Sequence, residues 1–373
     1  MKATRRYAAG LAAIVTTAAG LLAGVAGSAS ASGFGAFVGP LHQTSVIAST
    51  VPGNGDVNPY GIFVVPRTTG DLFRGNVLVG NFNDKANVQG TGTTIVEVTP
   101  SGHQRVFAKI SRNLPGCPGG VGLTTALTVL RSGWVIVGSL PTQGGNISGS
   151  GCLIVLDKFG HVRETFTGDG INGPWDMASL DLGGQAVLFV TNVLNGTVAG
   201  NGKVVFGGTV VRLIIRIPQF GLPFIWFHAT IGSGFPERTD KAALVVGPTG
   251  AGLGGNDVLY VADTVGNRIA AIPDALFRSF SAGTGFTVTR GHHLNSPLGL
   301  VIAPGGDILT VNAGDGHLVE TAPFGAQIAV RTLDTGGGPP PGAGDLFGLA
   351  VKPHHDAVYY VDDGTNTLNL LHH

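Results

Sequence analysis

Six short apolar runs each end on a side chain able to hold a proton, a ligand or a hard cation. They are Asn81 in VLVGN, Ser139 in VIVGS, Asn192 in LFVTN, Asp263 in LYVAD, Asn312 in ILTVN and Asp362 in VYYVD. Amide and carboxylate oxygens are the donors that Ca²⁺ and similar divalent ions prefer, and a ring of them also suits a small ligand. A second set, Tyr60, Trp175, Leu298 and Phe347, stands just ahead of a partner strand and offers aromatic and apolar walls. Asp176, in Gly173-Pro174-Trp175-Asp176-Met177, occupies the position that Gly61, Gly299 and Gly348 hold elsewhere. A carboxylate there serves equally well as a metal ligand, a general base or an acceptor of backbone N–H groups. Asn and Asp at strand ends also bond turn backbones, so the ring has a structural use beside the chemical one.

For these residues to meet, the runs must be strands of one repeated unit. The runs at 77–81, 135–139, 188–192, 259–263, 308–312 and 358–362 each start on an aliphatic residue. Partner strands precede them at 61–65, 126–130, 176–180, 243–246, 299–302 and 348–351. Third strands follow at 94–98, 153–156, 210–215, 269–272, 318–321 and 368–371, and fourth strands at 105–108, 162–166, 224–231, 286–290 and 328–333. This cadence predicts an all-β fold, a six-bladed β-propeller of four-stranded antiparallel blades over residues 43–373. The last unit is one strand short, while 43–49 (QTSVIAS) is a strand without a unit. Pairing the two closes the ring by an N-terminal strand and removes long free edges. The start of each first strand and the end of each second strand then gather around a central channel, which brings the polar ring together. The loops at 82–93, 140–151 and 193–208 are long on that same face, where recognition usually sits.

Within the fourth unit, LYVADTVGNRIAAI resembles an NHL repeat, whose pattern runs aliphatic-Tyr-Val-Ala-Asp-x-x-Asn-x-Arg-Ile. The other five units match in part. The resemblance implies a six-bladed propeller in which Asp263, Asn267 and Arg268 serve turn and blade packing. Related propellers include gluconolactonase-like hydrolases, which hold a divalent metal through a Glu of the first blade and Asn and Asp residues of others. Asn192, Asp263 and Asn81 match the Asn and Asp positions, and Asp176 is a further possible ligand, but 57–61 (VNPYG) has no Glu. Amidating lyases hold zinc through histidines, and the eleven histidines here fall away from the strand ends. No G-x-S-x-G, H-E-x-x-H, phosphate loop or paired Cys motif occurs, so common hydrolase, protease and nucleotide chemistries lack support.

Residues 1–31 read as a secretory signal peptide, with Lys2, Arg5 and Arg6 ahead of an Ala- and Leu-rich run ending in Ala29-Ser30-Ala31, and 32–42 as a linker. Removing 1–31 leaves 19 Lys+Arg against 22 Asp+Glu, a net charge of −3, and no basic block that would serve nucleic acid. No later stretch is long and apolar enough to span a bilayer. The two cysteines, Cys117 and Cys152, are expected to pair in an exported chain. The favoured expectation is a monomeric, secreted or cell-envelope binding module for a small molecule, glycan, peptide or envelope protein, without a required cofactor. The alternative is a metal-dependent lactonase-like hydrolase, using Ca²⁺ or another divalent cation at the central channel through Asn192, Asp263 and Asp176.

Overall fold

A computed structural model describes residues 35–373, except Pro118, His354 and His355; the leader expected at 1–31 lies outside the described residues. Six antiparallel sheets are arranged as the blades of a propeller. Blade 1 is Val57–Val64, Val77–Asn83, Thr94–Val98 and Gln104–Lys109. Blade 2 is Leu123–Val129, Val135–Ser139, Cys152–Leu156 and Val162–Phe166. Blade 3 is Pro174–Asp181, Gln185–Asn192, Val205–Arg216 and Phe224–Asp240, with Leu244–Val246 added at its outer edge. Blade 4 is Pro248–Leu253, Leu259–Asp263, Arg268–Ile272 and Phe286–Arg290. Blade 5 is Pro297–Ile302, Ile308–Asn312, His317–Thr321 and Gln327–Thr332. Blade 6 is Leu346–Val351, Val358–Asp362, Thr367–His372 and, from the other end of the described chain, Gln43–Ser49.

The second and third strands are Val-, Ile- and Leu-rich on both parities because each sheet packs on both faces. Five apolar clusters fill the spaces between neighbouring blades, for example Leu78, Ile95, Leu127 and Ile154 between blades 1 and 2. A sixth lies on the axis and continues between blades 6 and 1. The ring closes as the sequence predicts, Gln43 pairing with His372 and Ser49 with Thr367. Within the segment expected to be a linker, the described residues dock on the ring. Val38 and Leu41 are fully buried against blade 5, and the Glu320 carboxylate accepts the Phe37 and Val38 N–H groups.

Every innermost strand carries a bulge near its start, at Pro59/Ile62, Leu123/Leu127, Pro174/Met177, Pro248/Ala251, Pro297/Leu300 and Leu346/Leu349. Bulges bend the strand, here at the axis. Glycine stands in four of them because the next blade comes too close for a side chain. A Cβ on Gly299 would lie 1.9 Å from the Phe347 carbonyl oxygen, and one on Gly348 2.3 Å from that of Tyr60.

One strand differs from expectation. Residues 243–246 are not the innermost strand of blade 4; Pro248–Leu253 is. The apolar ALVV run reads as a strand, whereas PTGAGL, with two glycines, reads weakly. Leu244–Val246 instead pairs with Arg238–Asp240 and lies over the channel.

Cys117 and Cys152 form a disulfide, pinning the loop before blade 2 to that blade's third strand. With its ends 35 positions apart, the bridge restricts the unfolded chain by about 3–4 kcal/mol in the chain-entropy account. The double variant C117S/C152S is therefore expected to unfold at a lower urea midpoint by about that free energy. An unchanged midpoint would mean that the loop gains nothing from its tether. No described helix is long and apolar enough to cross a membrane.

Candidate functional site

The upper face is defined as the end where innermost strands begin and second strands finish. All six residues of the polar ring stand there, one per blade, and all are buried. Their bonds are turned inward. Asn81 Nδ2 donates to the Thr50 carbonyl and to Thr94 Oγ1. Ser139 Oγ accepts the Gly122 N–H, and Asn192 Oδ1 accepts those of Asn172 and Gly173. Asp263 accepts the Gly266 N–H at 2.9 Å and the Arg268 Nε–H at 2.8 Å, inside an ion pair whose two side chains are 1% and 6% exposed. Asn312 Nδ2 donates to the His293 carbonyl and to Asp315, and Asp362 accepts the Thr365 N–H. The ring thus ties strand ends to turns. Asn81 Oδ1 and Asn312 Oδ1 are left without partners, on separate blades.

The aromatic walls close on one another. Tyr60 stacks between Phe82 and Phe347, with centroids 4.2 and 4.1 Å away, and Trp175 lies 6.3 Å off. The backbone at 242–245 crosses above them. Trp175 Nε1 donates to the Val245 carbonyl at 3.0 Å and Tyr60 OH to the Ala242 carbonyl at 3.4 Å. With Leu298, Leu140 and Val193 these groups form a dry plug over the upper mouth. Offset rings packed this closely add about 0.5–1.5 kcal/mol per pair beyond their burial.

Below the plug the channel is open. A cavity of about 260 Å³ is lined by all six innermost strands, from Thr125 and Asp176 down to Phe63, Leu253 and Ile302. Apart from Thr125, Ser179 and the Asp176 carboxyl, the side chains that line it are apolar, and glycines leave strand backbone at the wall. Where the other bulges have glycine, these two blades bridge to the next strand with side chains. Thr125 Oγ1 donates to the Trp175 carbonyl, and Asp176 Oδ2 accepts the Ala251 N–H at 3.2 Å while Oδ1 accepts that of Met177 at 2.8 Å. Asp176 is deep in the molecule yet keeps some accessible surface, because it faces this cavity. Burial pushes its carboxyl up to about 8 against the pull of the two N–H groups. Asp176 was legible as a break in the glycine pattern. Thr125 breaks the same pattern in blade 2, where the innermost strand was expected to start one residue past it, at 126, so the break did not show.

The three side chains expected to share a metal do not combine here. Asn192 and Asp263 are each committed to turns of their own blades, and Asp176 to Ala251 and Met177. Among the described residues no group of three His, Cys, Asp or Glu is placed to hold a metal ion. The set does not fit that role, and no chemistry is routed through it. The long upper loops do enclose a second space, a cleft of about 470 Å³ lined by Thr91, Arg112, Asn113, Thr142 and Gln143.

An axial cavity capped at one end, within six closed blades, defines the chain as a six-bladed β-propeller. No family model matches it, and no curated protein sequence does. The NHL resemblance is compatible with the six blades. Among solved structures, a gluconolactonase of Xanthomonas campestris is similar in fold, with a TM-score of 0.55 at 11% identity over 88% of each chain. A luciferin-regenerating enzyme matches at 0.55 and 10%, covering 89% of this chain and 96% of its own. Regucalcin of Agrobacterium tumefaciens, a calcium-binding protein, matches at 0.51 and 14%, covering 89% and 93%. At such identities the likeness is one of fold.

Proposed function

We propose that the protein is an exported, lactonase-like hydrolase for a small, largely apolar molecule, with its reaction site in the axial channel and Asp176 as the proton-transfer group. The observation that carries this reading is the single carboxyl at the capped end of the axial cavity, in a position that four of the six blades give to glycine. A base whose pKa lies near the working pH is suited to proton transfer. Ionised Asp176 takes a proton from a water as that water attacks an acyl carbon. The protonated carboxyl returns it to the leaving oxygen as the acyl C–O bond breaks. The size of the cavity restricts the substrate to a small lactone or ester. The similarity in fold to a gluconolactonase and a luciferin-regenerating enzyme supports a small-molecule role, and the disulfide is compatible with export.

The test is hydrolysis of a panel of small lactones and aryl esters followed from acid to alkaline pH. Turnover is expected to rise with an inflection near 8 and to be lost in Asp176→Asn, a near-isosteric change whose folding is checked by its melting curve. Turnover that survives D176N, or none with any member of the panel, would overturn the reading. The polar cleft between the upper loops supports a second reading, capture of a glycan or peptide there without catalysis. Binding that is lost on shortening 140–151 and is indifferent to D176N would favour it.

A further inference from the structure

We propose that the lower face, opposite the plug, docks on an anionic lipid bilayer. Five consecutive blades each put at least one exposed phenylalanine on a turn at that end. Among them are Phe73, Phe159, Phe220, Phe277 and Phe324, with 47, 46, 85, 82 and 84% of their surface accessible. The strand registers fix their common side. The turn bearing Phe73 joins Val64 to Val77, and the turn bearing Phe220 joins Arg216 to Phe224. Those bearing Phe159, Phe277 and Phe324 likewise link the lower ends of third and fourth strands. Single exposed apolar residues are ordinary on any surface. At least one in each of five consecutive blades, on turns at one end, is not scatter; among the described residues the upper loops expose one large aromatic, Phe206.

The occupant follows from spacing and charge. The five rings stand on separate turns of separate blades, spread along the rim of the face, whereas a protein partner buries a single compact patch. A bilayer accepts isolated rings, each entering the boundary between headgroups and acyl chains. Cations stand over several of the rings near this rim. Lys158 lies 5.4 Å from the Phe159 centroid, while Arg105, 5.4 Å from that of Phe73, is already paired with the buried Glu97 carboxylate. Arg216 lies 4.4 Å from the ring centroid of exposed Trp226. A ring that enters the boundary leaves its cation at the level of the phosphates, the complement of an anionic headgroup.

Co-sedimentation with phosphatidylcholine vesicles, with and without phosphatidylglycerol, tests the proposal. Both the full chain and the compact unit Gly35–His373 are used, so that earlier residues cannot supply the binding. Both are expected to pellet with the mixed vesicles, less so as salt is raised. Phe220→Ser/Phe277→Ser/Phe324→Ser should reduce the bound fraction about tenfold with an unchanged melting temperature. Lys158→Glu should weaken binding to the mixed vesicles alone. Failure of Gly35–His373 to pellet at low salt overturns the proposal. So does a wild-type dimer in sedimentation velocity that the triple variant abolishes, since the face would then belong to a second copy.

Discussion

Asp263→Ala is expected to be the most damaging single change in the polar ring, costing about 3 kcal/mol or more of folding free energy. Asp263 and Arg268 face each other across the tight turn of blade 4, both nearly without access to water. Burial outweighs the guanidinium and raises the Asp263 carboxyl above its ordinary value, a sign of how dry the site is. Removing one partner of such a pair leaves an uncompensated charge, which typically costs about 3–5 kcal/mol. The lower end applies here because Arg268 keeps bonds to Thr287 Oγ1 and the Thr284 carbonyl. The Gly266 N–H loses its acceptor as well. Asp263→Ala/Arg268→Met, which removes both charges, should recover much of the loss. Urea unfolding of the three proteins decides it. An Asp263→Ala that stays as stable as the parent yet loses turnover would move the reaction site to the upper face.

The second large effect concerns pH. Four acidic side chains are held well above their ordinary range, mainly by burial. Asp176 stands at about 8 and Glu237 at about 7. Asp363 is pushed up to about 7, with Asp345 and Asp362 adding to burial, and Asp345 to about 6, with Asp334 adding to it. Glu237 has no accessible surface, and neither of its oxygens has a hydrogen-bond partner of normal geometry. In the unfolded chain these groups ionise near 4. A folded pKa raised above the unfolded one gives stability that is complete below about pH 4 and is lost as pH rises through the folded values. The fold is therefore expected to be several degrees more heat-stable at pH 5 than at pH 9, a difference on the order of 3 kcal/mol once solvent access is discounted. Asp84 and Asp157, whose carboxyls are lowered, act only at more acid pH. Glu237→Gln should flatten part of the slope. A melting temperature that rises from pH 5 to pH 9 would show that these groups are charged in the fold.

What the sequence made legible depended on where the signal is local. Strand runs such as LYVAD and VYYVD, and the missing fourth strand of the last unit, carry the blade count and the closure without tertiary information. The innermost strand of blade 4 was obscured because hydrophobicity and strand position part company there. The apolar Ala243–Leu244–Val245–Val246 is drawn over the axis by Trp175 and Tyr60, and the true strand sets only Pro248, Thr249, Ala251 and Leu253 beside its two glycines. The cadence held the answer: Pro248-Thr249-Gly250 repeats Pro297-Leu298-Gly299, and Gly250 precedes Leu259 by the same interval as Gly299 precedes Ile308. The gathering of the ring residues at one end was legible from strand order. Their inward bonds and the plug above the channel were not, since both arise from contacts between segments far apart in the chain.

The strand Gln43–Ser49 paired with Thr367–His372 is also a clasp with kinetic meaning. Open repeat arrays nucleate anywhere and fray from their ends, which terminal capping units must protect. Here the two halves of blade 6 are held apart by the other five blades, Ser45 meeting His372 across 327 positions of sequence. Such distant pairing is slow to form, and until it forms the array has two raw edges. Once it is made, neither edge is left to peel, and losing any one blade requires the clasp to open first. Slow assembly and reluctant disassembly are thus two sides of the same joint, and the lifetime of the folded ring is set there.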